Sequence, residues 1–322
     1  MSHDTPSSHA DETTSPLYEK RSIPGKGNGL VACADIPEGT RILCEKPLFT
    51  LVSAANLIDN AVLAKVKSLS KDQQRQYLGL HNNHPSSNIF SGIFKTNALP
   101  CGPGSPIGGV YPTICLINHS CDSNSHHSWN DTISSETIHA LRDIKAGEEI
   151  TICYKDPETY QARRAKLRGS FGFDCDCSLC SLPLEERQKS DTRRTRIAQL
   201  DEDIGDPSRV MNSPADCREM VRVLNEEFKC VTILDARLYY DAFQVAITHG
   251  DQARASVFAG RAYDARLFCE GDDSPETRKM KDFQENPNTH RNFGVSKRWR
   301  TNKTAAPRNR DETEFEDWLW RS

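Results

Sequence analysis

The chain reads as an α+β protein, a set of small β-sheets in front followed by an all-α region behind. Three observations predict this. Between residues 18 and 154, apolar and polar residues alternate in short runs separated by Gly- and Pro-containing turns, the pattern of half-buried strands. Beyond Pro183 only helical periodicity remains. Between the two lies Phe173-Asp-Cys-Asp-Cys-Ser-Leu-Cys180, whose three close cysteines suit a metal better than a packed core.

The 322 residues give room for about two domains. Residues 1–17, rich in Ser, Thr, His and Asp, cannot offset the entropy of ordering and are expected to form a flexible tail. Residues 18–182 form the first domain, with a helical insert over about 54–100; 183–284 form a helical domain and 285–322 a polar tail. The formal charge of −4 supplies no general basic field, which argues against direct nucleic-acid binding. Neither a run of eighteen apolar residues nor an N-terminal leader is evident, so no membrane association is expected and the compartment is nucleus or cytoplasm. In a reducing compartment the twelve cysteines are metal ligands or core fillers rather than disulfides.

In order along the chain, Gly25-Lys-Gly-Asn-Gly29 is a loop before a strand at Leu30-Val-Ala-Cys-Ala. A Pro/Gly turn at Ile36-Pro-Glu-Gly-Thr then leads to a second strand at Arg41-Ile-Leu-Cys-Glu. Leu57, Ile58, Val62, Leu63, Val66, Leu69, Tyr77 and Leu80 recur at helical spacing, with Ser70-Lys-Asp-Gln as a cap between two helices. Ile89 to Leu99 continues an apolar helical face whose polar exception is Asn97. Turns at Asn130-Asp131 and Lys145-Ala-Gly147 separate three further antiparallel strands. Residues 158–170 are a basic helix, with Tyr160, Leu167 and Phe171 on one face and Arg163, Arg164 and Arg168 as a solvated rim. Farther on, the segments before and after His249-Gly-Asp251 have the length of one tetratricopeptide-like helix pair, and Trp318-Leu-Trp320 reads as a docking end.

The chemistry concentrates at Leu116-Ile-Asn-His-Ser-Cys121, which delivers Asn118, His119 and Cys121 within four residues. Cys175, Cys177 and Cys180 are one ligand short of a closed zinc site, and Cys121 joining them would make four. Together with Gly27-Asn-Gly29, Asn97, Gly147-Glu-Glu-Ile-Thr-Ile-Cys-Tyr154 and the Cys-x-Cys-x-x-Cys tail, this order of motifs resembles the SET-domain protein-lysine methyltransferases, most of all the SMYD branch and its fungal relatives. The resemblance covers about residues 18–182. It departs at one point, because residues 50–100 hold no cysteine and so lack the MYND zinc finger of the SMYD branch.

The resemblance implies small curved sheets with a pseudoknot, a zinc-bound tail after the SET domain, and S-adenosyl-L-methionine as cofactor. It implies that the backbone around Lys26, Gly27, Asn28 and Gly29, with Asn97, Asn118, His119 and Phe173, holds that cofactor, and that Cys121, Cys175, Cys177 and Cys180 hold a structural Zn2+. Tyr154 is the expected catalytic residue, a buried phenol at a strand end that aligns a neutral lysine for in-line methyl transfer. The expected substrate is a protein presenting a lysine, histone or non-histone, and the helical region offers a place for a partner protein. The competing reading is a non-catalytic, zinc-stabilised adaptor on the same fold.

Overall fold

The computed structural model describes residues 16–52, 58–85, 88–154 and 158–322. Most of the expected N-terminal tail therefore lies outside the described residues, and Leu17, at its end, packs against the first core. The chain opens with β1 (Tyr18–Ile23), β2 (Gly27–Ala32), β3 (Arg41–Glu45) and β4 (Phe49–Val52). Helices α1 (Ile58–Ser68), α2 (Lys71–Leu78) and α3 (Ile89–Asn97) follow, then β5 (Leu99–Pro100), β6 (Ile107–Val110), a 3-10 turn at Ile114–Leu116, β7 (Asn118–His119), β8 (Ser125–Asn130), β9 (Ser135–Ala140) and β10 (Glu149–Ile152). Helix α4 (Tyr160–Phe171) ends this half.

The strands make three small sheets, ordered β1-β2-β10-β7, β3-β9-β8 and β4-β6-β5. All pairings are antiparallel except β7 with β10, which sets Asn118 beside Thr151 and His119 beside Ile152. Leu30, Ile42, Ile114, Ile117, Ile138, Ile144, Ile150 and Ile152 fill the core that the first two sheets share. Each such aliphatic side chain contributes ~1.5–3 kcal/mol by leaving water. A second core, built on Phe49, Val62, Tyr77, Ile93 and Phe94, holds the helical insert on the third sheet. As the sequence predicts, Ser70 caps α2 in a reciprocal capping box with Gln73.

The glycine loop is the turn of a β1-β2 hairpin, where Gly25 and Gly27 have φ of 76° and 79°. β2 and β3 do not pair with each other; they enter different sheets, because Ile36 between them bridges to Ile144. Nor are all the scattered cysteines core fillers, since Cys33 and Cys44 are exposed.

The second half comprises α5 (Leu184–Gly205), α6 (Ser213–Glu227), α7 (Ile233–Thr248), α8 (Gln252–Glu270), α9 (Pro275–Glu285) and α10 (Glu312–Trp320). Helices α6 to α9 pack each on the one before, so the α7-α8 pair has neighbours on both sides. Thr232 and Asp235 form a capping box on α7, and Asp251 caps α8. The C-terminal residues are not a polar tail. Leu319 and Trp320 are buried in the helical core, with the Trp320 ring 4.8 Å from that of Phe258, so the expected docking end docks on its own chain. Helix α8 also lies against β8 and β9 and joins the halves. The Arg41 guanidinium on β3 pairs with Asp273 and donates from Nε to His139 Nε2 at 3.2 Å. Gly271 lets the chain pass this point, since a Cβ there would stand 2.6 Å from Arg41 Nη2.

Candidate functional site

Four sulfurs converge where the end of β7 meets the loop between α4 and α5. The Sγ atoms of Cys121, Cys175, Cys177 and Cys180 all lie within 4.8 Å of one another. Cys121 Sγ is 3.6 Å from Cys180 Sγ and 3.9 Å from Cys175 Sγ, and a tetrahedral zinc with bonds of ~2.3 Å sets its sulfurs ~3.8 Å apart. The four thiols titrate as one set, in which their mutual hydrogen bonds hold Cys177 and Cys180 below the usual range and Cys121 and Cys175 above it. Binding of a metal by four such thiols releases their protons.

Arg163 provides an independent test of that fit. The sequence suggests a solvated rim, but its side chain is only 2% exposed. One Nη donates to Glu158 O, while Nε and Nη2 have no nitrogen or oxygen partner among the described residues and have the Cys121 and Cys180 sulfurs beside them. Burial works against its charge, and the neighbouring Cys121 and Cys180 sulfurs outweigh that and raise its pKa. A buried guanidinium without a counter-charge costs several kcal/mol. Four thiolates around a divalent ion carry a net charge of about −2 and supply the missing counter-charge. Arg164 and Arg168 do lie on the rim, where both pair with Asp174.

His119 sits between the sulfurs and Tyr154. Tyr154 N–H donates to His119 Nδ1 at 3.0 Å, which leaves the ring proton on Nε2, 3.2 Å from Cys121 Sγ. Burial lowers its pKa to about 4, so the imidazole is neutral at physiological pH.

Tyr154 follows β10 with its hydroxyl donating to Ile117 O at 2.6 Å. Burial raises the phenol well above its ordinary pKa and keeps it protonated. Its ring lies 4.9 Å from that of Phe171 and 5.2 Å from that of His119, and Phe173 stands 6.1 Å beyond His119. Phe171 escaped the sequence reading as a site residue because its helical spacing with Leu167 looks like ordinary packing.

Lys26, Asn28, Gly29 and Asn118 meet where β2, β10 and β7 lie side by side. Asn118 Nδ2 donates to Asn28 O at 3.1 Å and to Glu149 Oε1 at 2.8 Å, and Lys26 Nζ pairs with Glu149 Oε2 at 3.0 Å. A Cβ on residue 29 would stand 2.7 Å from Ile23 Cγ1 and 2.9 Å from Asn118 Nδ2, so only glycine leaves this hollow open. Glu149 organises the group, and the sequence reading used it only as part of a motif. Asn97 behaves differently. Its amide hydrogens go to His81 O and Ile93 O, both at 2.7 Å, and among the described residues it forms no hydrogen bond to the Asn118 group.

The SET domain family profile matches residues 27–155, from the hairpin turn to just past Tyr154. The chain is 36% identical over 279 residues to "Histone-lysine N-methyltransferase set5" of Schizosaccharomyces pombe, covering 85% of each chain. It is 47% identical over 73 residues to "Histone-lysine N-methyltransferase SMYD3" of Homo sapiens, 22% of this chain and 17% of that one. Over 75 residues it is 40% identical to "Protein-lysine N-methyltransferase SMYD4" of Homo sapiens, 22% and 9% of the two chains.

Proposed function

We propose that this chain, which belongs to the SET-domain family and is an S-adenosylmethionine-dependent protein-lysine N-methyltransferase, aligns its substrate amine with the hydroxyl of Tyr154. The cofactor supplies an electrophilic methyl group, and the protein's task is to bring a neutral lysine in line with it. Because the Tyr154 hydroxyl donates to Ile117 O, its oxygen lone pairs remain as acceptors for an amine N–H and for a partly positive methyl group. That hydrogen bond is the observation that carries the assignment.

Lys26, Gly27, Asn28, Gly29, Asn97, Asn118, His119 and Phe173 form the cofactor site in this reading. Both Asn118 N–H groups are committed to Asn28 and Glu149, so Oδ1 is left as an acceptor suited to an ammonium group. Phe173 offers an aromatic face for a purine. Zn2+ on Cys121, Cys175, Cys177 and Cys180 is structural, since four sulfurs leave no open position for a water. The buried Arg163 supports that occupancy. Nothing observed favours the adaptor reading.

The substrate is a protein bearing a lysine. We assign it to the histones on the names of the similar yeast and human proteins. Incubation with labelled cofactor and either histone octamers or a histone-depleted lysate tests this. Label on a histone lysine supports the assignment, and label confined to other proteins overturns it while leaving the methyltransferase reading intact.

A further inference from the structure

We infer that His119 is a positioning residue that ties the four-cysteine cluster to Tyr154 through its two ring nitrogens. One nitrogen, Nδ1, accepts from the Tyr154 amide at 3.0 Å, and the other lies 3.2 Å from Cys121 Sγ. Both arms are short and the ring is only 5% exposed, so the imidazole has no freedom to swing without breaking one of them. Cys121 is where the arrangement is decided, since His119 and the buried Arg163 both stand against its sulfur. A ligand thiolate accepts a stronger hydrogen bond than a thiol. Filling the cluster therefore fixes Cys121, Cys121 fixes the ring, and the ring fixes the backbone from which Tyr154 projects. The Tyr154 hydroxyl bonded to Ile117 O then closes a loop around the segment that carries His119 itself.

The inference rests on the Tyr154 reading for its catalytic consequence but not for its structural one. Two substitutions separate the arms. Asparagine places its amide where Nδ1 lies and reaches no sulfur, so His119→Asn keeps an acceptor for the Tyr154 amide and removes the donor to Cys121. Glutamine places its amide near Nε2, so His119→Gln keeps the donor to Cys121 and removes the Tyr154 arm. Outer hydrogen bonds to metal ligands are worth roughly 10–100-fold in metal affinity. In the full-length protein, His119→Asn is expected to release zinc to a chromogenic chelator at least ~10-fold faster than wild type, whereas His119→Gln releases it near the wild-type rate. Turnover is expected to fall further in His119→Gln than in His119→Asn. Opposite orders for the two readouts support the linkage, because general loosening would move both together. Equal effects of the two variants on both readouts, or no effect on either, would overturn it.

A measurement on the wild-type chain covers the case in which neither variant folds. On removal of zinc, the Tyr154 amide should lose its protection from hydrogen exchange, while the Ala32 amide, bonded to Glu148 O at 2.9 Å, keeps its own. Unchanged protection at Tyr154 would also sink the inference. The zinc-release order and the exchange measurement read the linkage whether or not Tyr154 proves catalytic; the turnover order alone depends on that reading.

Discussion

At the scale of single residues, the site depends on what is absent from position 29. Gly29→Ala would push a methyl group to 2.7 Å from Ile23 Cγ1 and 2.9 Å from Asn118 Nδ2, so Asn118 must turn away from Asn28 and Glu149. Cofactor affinity measured by titration calorimetry should fall by about tenfold or more, since ~1.4 kcal/mol of lost binding is tenfold. Affinity equal to wild type would remove this hollow from the cofactor site. Tyr154, Asn118 and the four cysteines were legible in the sequence because each type is conspicuous in its neighbourhood. Arg163 and Glu149 were not, since a basic helical run and an acidic strand start both look solvated until distant segments cover them. For Arg163 the covering comes from Cys121, far away in the chain.

At the scale of elements, the loop between α4 and α5 has little regular structure of its own, and the cluster is what gathers it. Cys180→Ser leaves three thiolates, and in closed zinc sites metal binding and folding are coupled. Elemental analysis should find about one zinc per wild-type chain and clearly less in the variant. A full complement in Cys180→Ser would exclude Cys180 from the site. Helices α1 to α3 were readable from periodicity and the Ser70 cap, because a 3.6-residue pattern sustained over two or three turns has few alternatives. Strands β1 and β6 were not. β1 is a largely exposed edge strand of polar residues, and β6 reads Ile-Gly-Gly-Val, where the glycines suggest a loop. They sit in a strand because other groups come close: a Cβ on Gly108 would lie 3.1 Å from Ala98 Cβ, and one on Gly109 2.7 Å from Tyr111 Oη.

At the scale of the whole molecule, the two halves meet across Arg41, Asp273 and His139. Burial lowers the His139 pKa to about 4, and its neutral Nε2 accepts from Arg41. The unfolded chain takes up this proton near pH ~6.5, so between there and about 4 it binds more protons than the folded chain. Stability is therefore full above that window and falls with pH through it, by roughly 1.4 kcal/mol per unit for one imidazole. His126, which pairs with His139 across β8 and β9, is lowered by burial to about 3 and adds in the same sense. Melting temperatures from about pH 7.5 to about pH 4.5 should drop less steeply for His139→Gln, which keeps an acceptor for Arg41 but cannot titrate. Identical slopes would clear His139 of this role. The division into a strand-rich front and a helical back was readable from the change of period near Pro183. The burial of α10 was not, because a few apolar residues in a polar stretch carry no sign of the surface that receives them.

The central claim is that the Tyr154 hydroxyl serves methyl transfer, and Tyr154→Phe tests it most directly. The substitution keeps the ring between Phe171 and His119 and deletes only the group bonded to Ile117 O. Methyl transfer and cofactor binding should be measured on the same wild-type and variant preparations. The account predicts that turnover falls by at least ~100-fold, the equivalent of ~2.7 kcal/mol in the transition state, while cofactor affinity changes little. Unchanged methyl transfer would contradict it, and so would a loss of turnover matched by an equal loss of cofactor affinity and of thermal stability.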